Sequence, residues 1–315
     1  MRTAYNEMMP LRRQTPAILL LCCALAFGLS ACLARRRLIP RAAGSTPSLK
    51  IADFKSLLDA VQHQYDAIQD FSATVDMVPA LGSAEKNHIT EYKDVRAYIR
   101  FRKPANIRLI GLLPVVRSQA FDMLSDGATF KLYVPSKNRF IVGRNEIEKP
   151  SSNNLENLRP QHFLDALMVR PIDLKTFHVM IENFTDEDNA YYILHEVREA
   201  PSGELRLSRT IWFNRLDLLM ARQMIFDHDG NILTDARYSQ WHPYDNVPFP
   251  KHIEINRPRD EYAVVIDLVK MDINKGVPDD QFVLDQPEGT TLQTVGQPPV
   301  TPAPPPTPRK KGSKP

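Results

Sequence analysis

Eight histidines and three cysteines have the widest chemical repertoire in this chain, and their spacing offers little to a catalyst. His63, His88, His162, His178, His195, His228, His242 and His252 never fall as His-x-His or His-x-x-x-His, the short spacings that bring two imidazoles to one metal. Cys22, Cys23 and Cys32 all lie near the start, so the rest of the chain has no disulfide, thiolate metal site or cysteine nucleophile. Walker loops, Gly-x-Gly-x-x-Gly and Gly-x-Ser-x-Gly are absent, which removes sequence support for a phosphate cradle or a nucleophile elbow. Asp227-His228-Asp229-Gly230 reads as a hairpin turn, because Asp-Gly is a turn dipeptide. Asp186, Glu187 and Asp188 read as a solvated loop. The expectation is a protein that is not an enzyme and that needs neither cofactor nor metal.

Cys32 keeps its interest. It follows an apolar run, Ala17 to Ala31, which itself follows Arg12-Arg13, the layout of a secretory signal. The run is shorter than the roughly 20 residues a spanning helix needs. Leu29-Ser30-Ala31-Cys32 resembles the lipobox of bacterial lipoproteins. That resemblance implies a signal peptide over 1–31, diacylation of the Cys32 thiol, cleavage before it and acylation of the new amino terminus. Leu33 is not the aspartate that signals inner-membrane retention, so the same resemblance implies the periplasmic face of the outer membrane. Loss of the leader takes the formal charge from +3 to about +1, too balanced for a nucleic-acid binder.

The elements that must position any site lie between two polar ends. Residues 32–49, with Arg35, Arg36, Arg37 and Arg41, read as a tether, either touching anionic head groups or simply solvated. Residues 297–315 (QPPVTPAPPPTPRKKGSKP) have the composition of a disordered Pro-rich basic tail. From 50 to 296 a single domain is expected. Leu57, Leu58, Val61, Tyr65 and Ile68 recur at helical spacing, predicting a helix over 51–70. The period then becomes two: Val95, Ala97, Ile99 and Phe101 alternate with polar neighbours, as do Phe130, Leu132 and Val134. Further strands are predicted over 190–197, 207–214, 220–226, 234–239, 250–256 and 262–272, with a second helix over 159–168. The fold class is mainly β, an antiparallel sheet curling into a sandwich or barrel.

Several stretches resemble the LolA/LolB superfamily of envelope lipoprotein carriers. Phe71-Ser72-Ala73-Thr74-Val75 follows the first helix as the family's first strand does. The run from Ala97 to Arg108 is similar to the family's strand, basic-Pro turn and next strand. Residues 124–135 resemble its Ser-Asp-Gly hairpin, and Phe282 to Thr290 its final strand and Pro-x-Gly exit. The resemblance implies an incomplete antiparallel β-barrel, a half-barrel with helices forming a lid over an apolar cavity that takes up acyl chains. Lys103 stands where the soluble carrier has a lid-holding arginine, so it is the lid-latch candidate, weaker because lysine cannot fork to two carbonyls.

By alternation, the cavity candidates are Val95, Ile99, Phe101, Phe130, Leu132 and Val134, with Phe163, Leu167 and Met168 as the lid. Period two fixes sets of residues and not sides, so the opposite strand face remains an equal candidate for the inner one. The expected function is a membrane-anchored lipoprotein in lipid or lipoprotein transfer or insertion at the outer membrane. Expected partners are membrane lipids, acylated lipoproteins and a carrier protein. The alternatives are a structural or sensory envelope lipoprotein of the same fold and, with less support, an envelope hydrolase.

Overall fold

The computed structural model describes residues 48–83, 88–91, 94–146, 157–186 and 188–295. The signal peptide, Cys32 and the Pro-rich tail lie outside the described residues, as does most of the tether. The chain runs α1 (Phe54–Asp66), β1 (Asp70–Ser83), β2 (His88–Glu91), β3 (Val95–Arg102), β4 (Asn106–Leu112), β5 (Gln119–Ser125), β6 (Thr129–Val134) and β7 (Arg139–Arg144). It continues with α2 (Pro160–Leu167), β8 (His178–Thr185), β9 (Ala190–Glu199), β10 (Leu205–Asn214), β11 (Met220–Phe226), β12 (Ile232–Tyr244), β13 (Val247–Arg257), β14 (Tyr262–Ile273) and β15 (Thr291–Val295).

All strands join one open, curled sheet in the order β15-β7-β6-β5-β4-β3-β1-β14-β13-β12-β11-β10-β9-β8, with β2 pairing on β1. The pairings are antiparallel except β15 on β7. The long central strand β1 lies between β3 and β14, and so ties the first half of the chain to the second. Its Phe71, Ala73, Val75 and Met77 face inward. In β14 the inward set is Tyr262, Val264, Ile266 and Leu268, then Met271 and Ile273. The phase changes because Val269 is a bulged extra residue between the Leu268 and Lys270 pairings, and it stands exposed. Without that bulge, period two would turn the last two apolar residues outward.

Both helices pack on the inward face and belong to the same core. Helix α1 starts where the Asp53 carboxylate accepts from the Ser56 amide at 2.8 Å, and it buries Leu57 and Val61, one turn apart. The observed Phe54–Asp66 is shorter than the predicted 51–70 helix at both ends. Helix α2 matches its predicted range to one residue, with Pro160 in its first turn and Phe163, Leu164, Ala166 and Leu167 buried. It touches β4 and β5 on one side and β12 on the other, bridging the two halves of the curl.

One expectation needs correction. Phe282 to Thr290 is not the final strand: a short 3-10 turn ends at Phe282, and the strand forms later, at Thr291–Val295. Three outward cations hold the intervening strap. Arg102 donates to the Val277 carbonyl (3.0 Å), Arg108 to Gln281 (3.1 Å) and Lys131 to Leu284 (2.9 Å). Leu284 packs with Leu124 and Phe140 in a small outer cluster. The strap thus gives an apolar patch on the sheet's outer face a cover.

Candidate functional site

Of the nine apolar candidates, eight share one continuous core: Ile99, Phe101, Phe130, Leu132, Val134, Phe163, Leu167 and Met168. Val95, at the sheet's rim, is half-buried. The strand set chosen by alternation is therefore the face under the helices. Phe101 is 1% exposed and packs with its ring centre 5.3 Å from that of Phe71, which in turn lies 6.1 Å from Phe249 on β13.

The space expected to be hollow is filled by the helices' own side chains. Between α1 and α2 runs a seam with a cavity of only about 20 Å³, bordered by Tyr65, Ile68, Leu167, Met168, Tyr238 and Phe249. That is room for about one water, far short of an acyl chain, so the seam is closed to such a guest in this conformation.

Polar contacts add to the apolar packing of the helices. The Lys103 ammonium donates to the Tyr65 carbonyl at 2.8 Å and lies 4.0 Å from the centre of the Tyr65 ring. It thereby caps the last turn of α1 at the negative end of the helix dipole. Burial pulls its pKa down, opposed by the charge of Asp66. The Gln64 side chain donates to the Pro248 carbonyl (2.7 Å). On α2, the Tyr238 hydroxyl donates to Ala166 (2.8 Å) and the Gln223 amide to Asp165 (2.9 Å).

The sequence reading missed a second set of residues beside α2. Arg159 is 2% exposed, and its guanidinium lies 4.2 Å from the centre of the Phe130 ring. Arg257, also buried, donates to Asp260 (2.7 Å), Thr234 (2.7 Å) and His162 Nε2 (3.0 Å). A guanidinium only donates, so Nε2 must accept and the His162 proton sits on Nδ1, where it is donated to the Tyr262 hydroxyl at 2.7 Å. Burial, with Arg257 and Arg159 nearby, holds the His162 pKa well below its ordinary value. The only available signals were the charged turn Arg257-Pro258-Arg259-Asp260 and an arginine ahead of Pro160, and neither spacing names a partner 100 residues away. The turn predicted at Asp227 does form, the Asp227 carboxylate accepting from the amides of Asp229 and Asn231.

No family model matches the chain, and no curated protein does. Among solved structures, a DUF1329-family protein of Desulfovibrio piger is 16% identical, the match covering 73% of this chain and 96% of that one with a TM-score of 0.47. A LolA-superfamily protein of Nitrosomonas europaea is 16% identical over 72% and 97% of the two chains, with a TM-score of 0.45. An outer membrane lipoprotein-sorting protein domain of Vibrio parahaemolyticus is 10% identical over 72% and 94%, with a TM-score of 0.47. This chain is similar to LolA-superfamily proteins. The LolA-like likeness concerns the fold, and the site residues above rest on their own geometry.

Proposed function

We propose that this protein is an envelope lipoprotein, anchored through acylated Cys32 on the periplasmic face of the outer membrane, and that its LolA-like half-barrel binds acyl chains. The guest is a lipid or the acyl group of a lipoprotein, taken up between the concave sheet and the two helices for transfer or insertion. Membrane lipids, acylated lipoproteins and a delivering carrier are the partners. No chemical step is assigned to it.

The observation that carries this reading is the single apolar core shared by a continuous sheet face and two helices. Magnitudes make exchange feasible. Lifting Leu57, Val61, Phe163, Leu164, Leu167 and Met168 off the sheet forfeits about 1.5–3 kcal/mol each, or about 9–18 kcal/mol together. An acyl chain of about 16 carbons gains about 0.8 kcal/mol per methylene, or about 12 kcal/mol. The two are of one size, so a chain can replace the lid contacts without being trapped.

The closed seam favours a second reading, a structural or sensory lipoprotein whose barrel its own side chains fill. Native mass spectrometry of the full chain purified from envelopes, with lipid extraction, separates them. Co-purifying lipid or acylated protein supports carriage. An empty protein that also fails to take up a fluorescent fatty acid leaves the scaffold or sensor.

A further inference from the structure

Beside α2 the interior turns polar. A cleft of about 430 Å³ opens beside α2, within the size range of small-ligand sites. Its described lining carries four arginines, Arg159, Arg170, Arg257 and Arg259, against the carboxylates of Glu146, Asp165 and Asp260. His162 adds no charge, because it accepts from Arg257. Arg257 and Gln161 in this wall have capacity to spare among the described residues. Arg257 commits one N–H to each of Thr234 and His162 and two to Asp260, which leaves one of its five. Gln161 donates its amide to Asp165, and its carbonyl oxygen is buried with no hydrogen-bond partner. Exchanging the amide's two ends does not help, since Asp165 requires the donor. The cleft therefore offers a donor to an anion and an acceptor to a hydroxyl or ammonium.

The floor of the cleft meets the apolar core across one contact. Arg159 lines the cleft and stacks on Phe130, one of the buried inward residues. A molecule with a charged head and an apolar tail can cross there, its head among the arginines and its tail along Phe130 beneath α2. We propose that this cleft seats the phosphodiester head of the bound amphiphile, with Arg257 donating to the phosphate and Gln161 accepting from a hydroxyl or ammonium of the head. The proposal rests on the acyl-binding reading above and adds the class of guest: a phosphate-bearing amphiphile and not a bare fatty acid.

The test is a titration of the full chain, released from detergent micelles, by native mass spectrometry with three probes. They are lauroyl lysophosphatidylglycerol, monolauroylglycerol with the same tail and no phosphate, and glycerol 3-phosphate with no tail. The lysophospholipid is expected to bind about tenfold tighter than monolauroylglycerol, or more, the scale of one charge-assisted hydrogen bond. Arg257→Lys, which keeps charge and loses the fork, is expected to remove that advantage. Arg259→Gln, at the exposed rim, also lowers it, at the cost of the ion pair with Asp227 (2.7 Å). Equal binding of the two lauroyl probes overturns the head site and leaves acyl binding standing. Glycerol 3-phosphate binding as tightly as the lysophospholipid overturns the amphiphile and leaves a site for free phosphate. Failure of both lauroyl probes overturns this proposal and the acyl-binding reading together.

Discussion

Strands β3 to β7 and strands β9 to β12 flank the same two helices, yet they turn different chemistry inward. The first group presents Ala97, Ile99, Phe101, Ile107, Leu109, Met123, Phe130, Leu132 and Ile141, an apolar wall with Ser125 as its buried polar member. The second interrupts Leu194, Ile211 and Ala236 with Glu196, Arg209, Gln223 and Thr234. There Arg209 donates to Glu196 (2.9 Å) and to the Arg170 carbonyl (2.7 Å), and Gln223 to Asp165 (2.9 Å). The difference teaches that helix α2 has two surroundings. Its apolar side is held by area alone, while its polar side is held by directional bonds that fix its position along the sheet. Hydrogen bonds contribute little net energy and much geometry.

If the first wall works by area, Phe101→Ala has the largest effect: a loss of about 3–5 kcal/mol in denaturant unfolding from transfer and cavity terms. A change under 1 kcal/mol would show that the wall is not a packed core. Breaking the second wall's ion pair with Glu196→Ala is expected to cost about 3 kcal/mol, because Arg209 is left buried with its charge. The double change Glu196→Leu with Arg209→Met restores most of it. Should the double variant be as weak as the single one, the polar wall is a stability element, and the contrast drawn here fails.

Two histidines sharpen the contrast through pH. The folded pKa of His162 is depressed by burial, Arg257 and Arg159, so the unfolded chain binds more protons. Its contribution is whole above the unfolded value, near 6.5, and is lost as pH falls toward the folded value. His252, on β13 outside the helix-covered face, is the reverse: its bond to Asp267 (2.7 Å), with one to Glu254, raises its pKa. That contribution is whole below 6.5 and is lost as pH rises through the raised folded value. Thermal unfolding from pH 4 to 8 should lose acid sensitivity in His162→Gln and lose a smaller alkaline decline in His252→Asn. Identical profiles for the two variants would refute the assignment.

The smallest effect is expected at the latch. Lys103→Ala removes one carbonyl bond and one ring contact, worth about 1 kcal/mol at a part-exposed site. Amide exchange should quicken over residues 62–68, and fatty-acid uptake should speed up. Unchanged uptake would leave Lys103 a helix cap with no part in gating.

The periodicity of the sequence carried much of the fold. Ile99, Phe101, Phe130 and Leu132 declared a strand face because burial demands alternation, and Leu57 and Val61 declared a helix face one turn apart. Asp-Gly and Ser-Asp-Gly declared their turns by backbone chemistry that is local. What stayed hidden was relational. The strap over Leu124 and Phe140 was expected as a strand through the family resemblance alone, and a resemblance of short segments does not say which neighbour a segment bonds to.

The sequence by itself determined the mainly β class, the helix ranges to within a few residues and the apolar sets along each strand, since all of these follow from near neighbours in the chain. Only the tertiary structure decided that the helices fill the concavity to a seam of about 20 Å³, and that Arg159, His162 and Arg257 converge on one cleft. His162 meets Tyr262 100 residues away, and no periodicity encodes a contact across the curl of a sheet. Closure and charge pairing depend on how surfaces meet, which is a property of the folded whole.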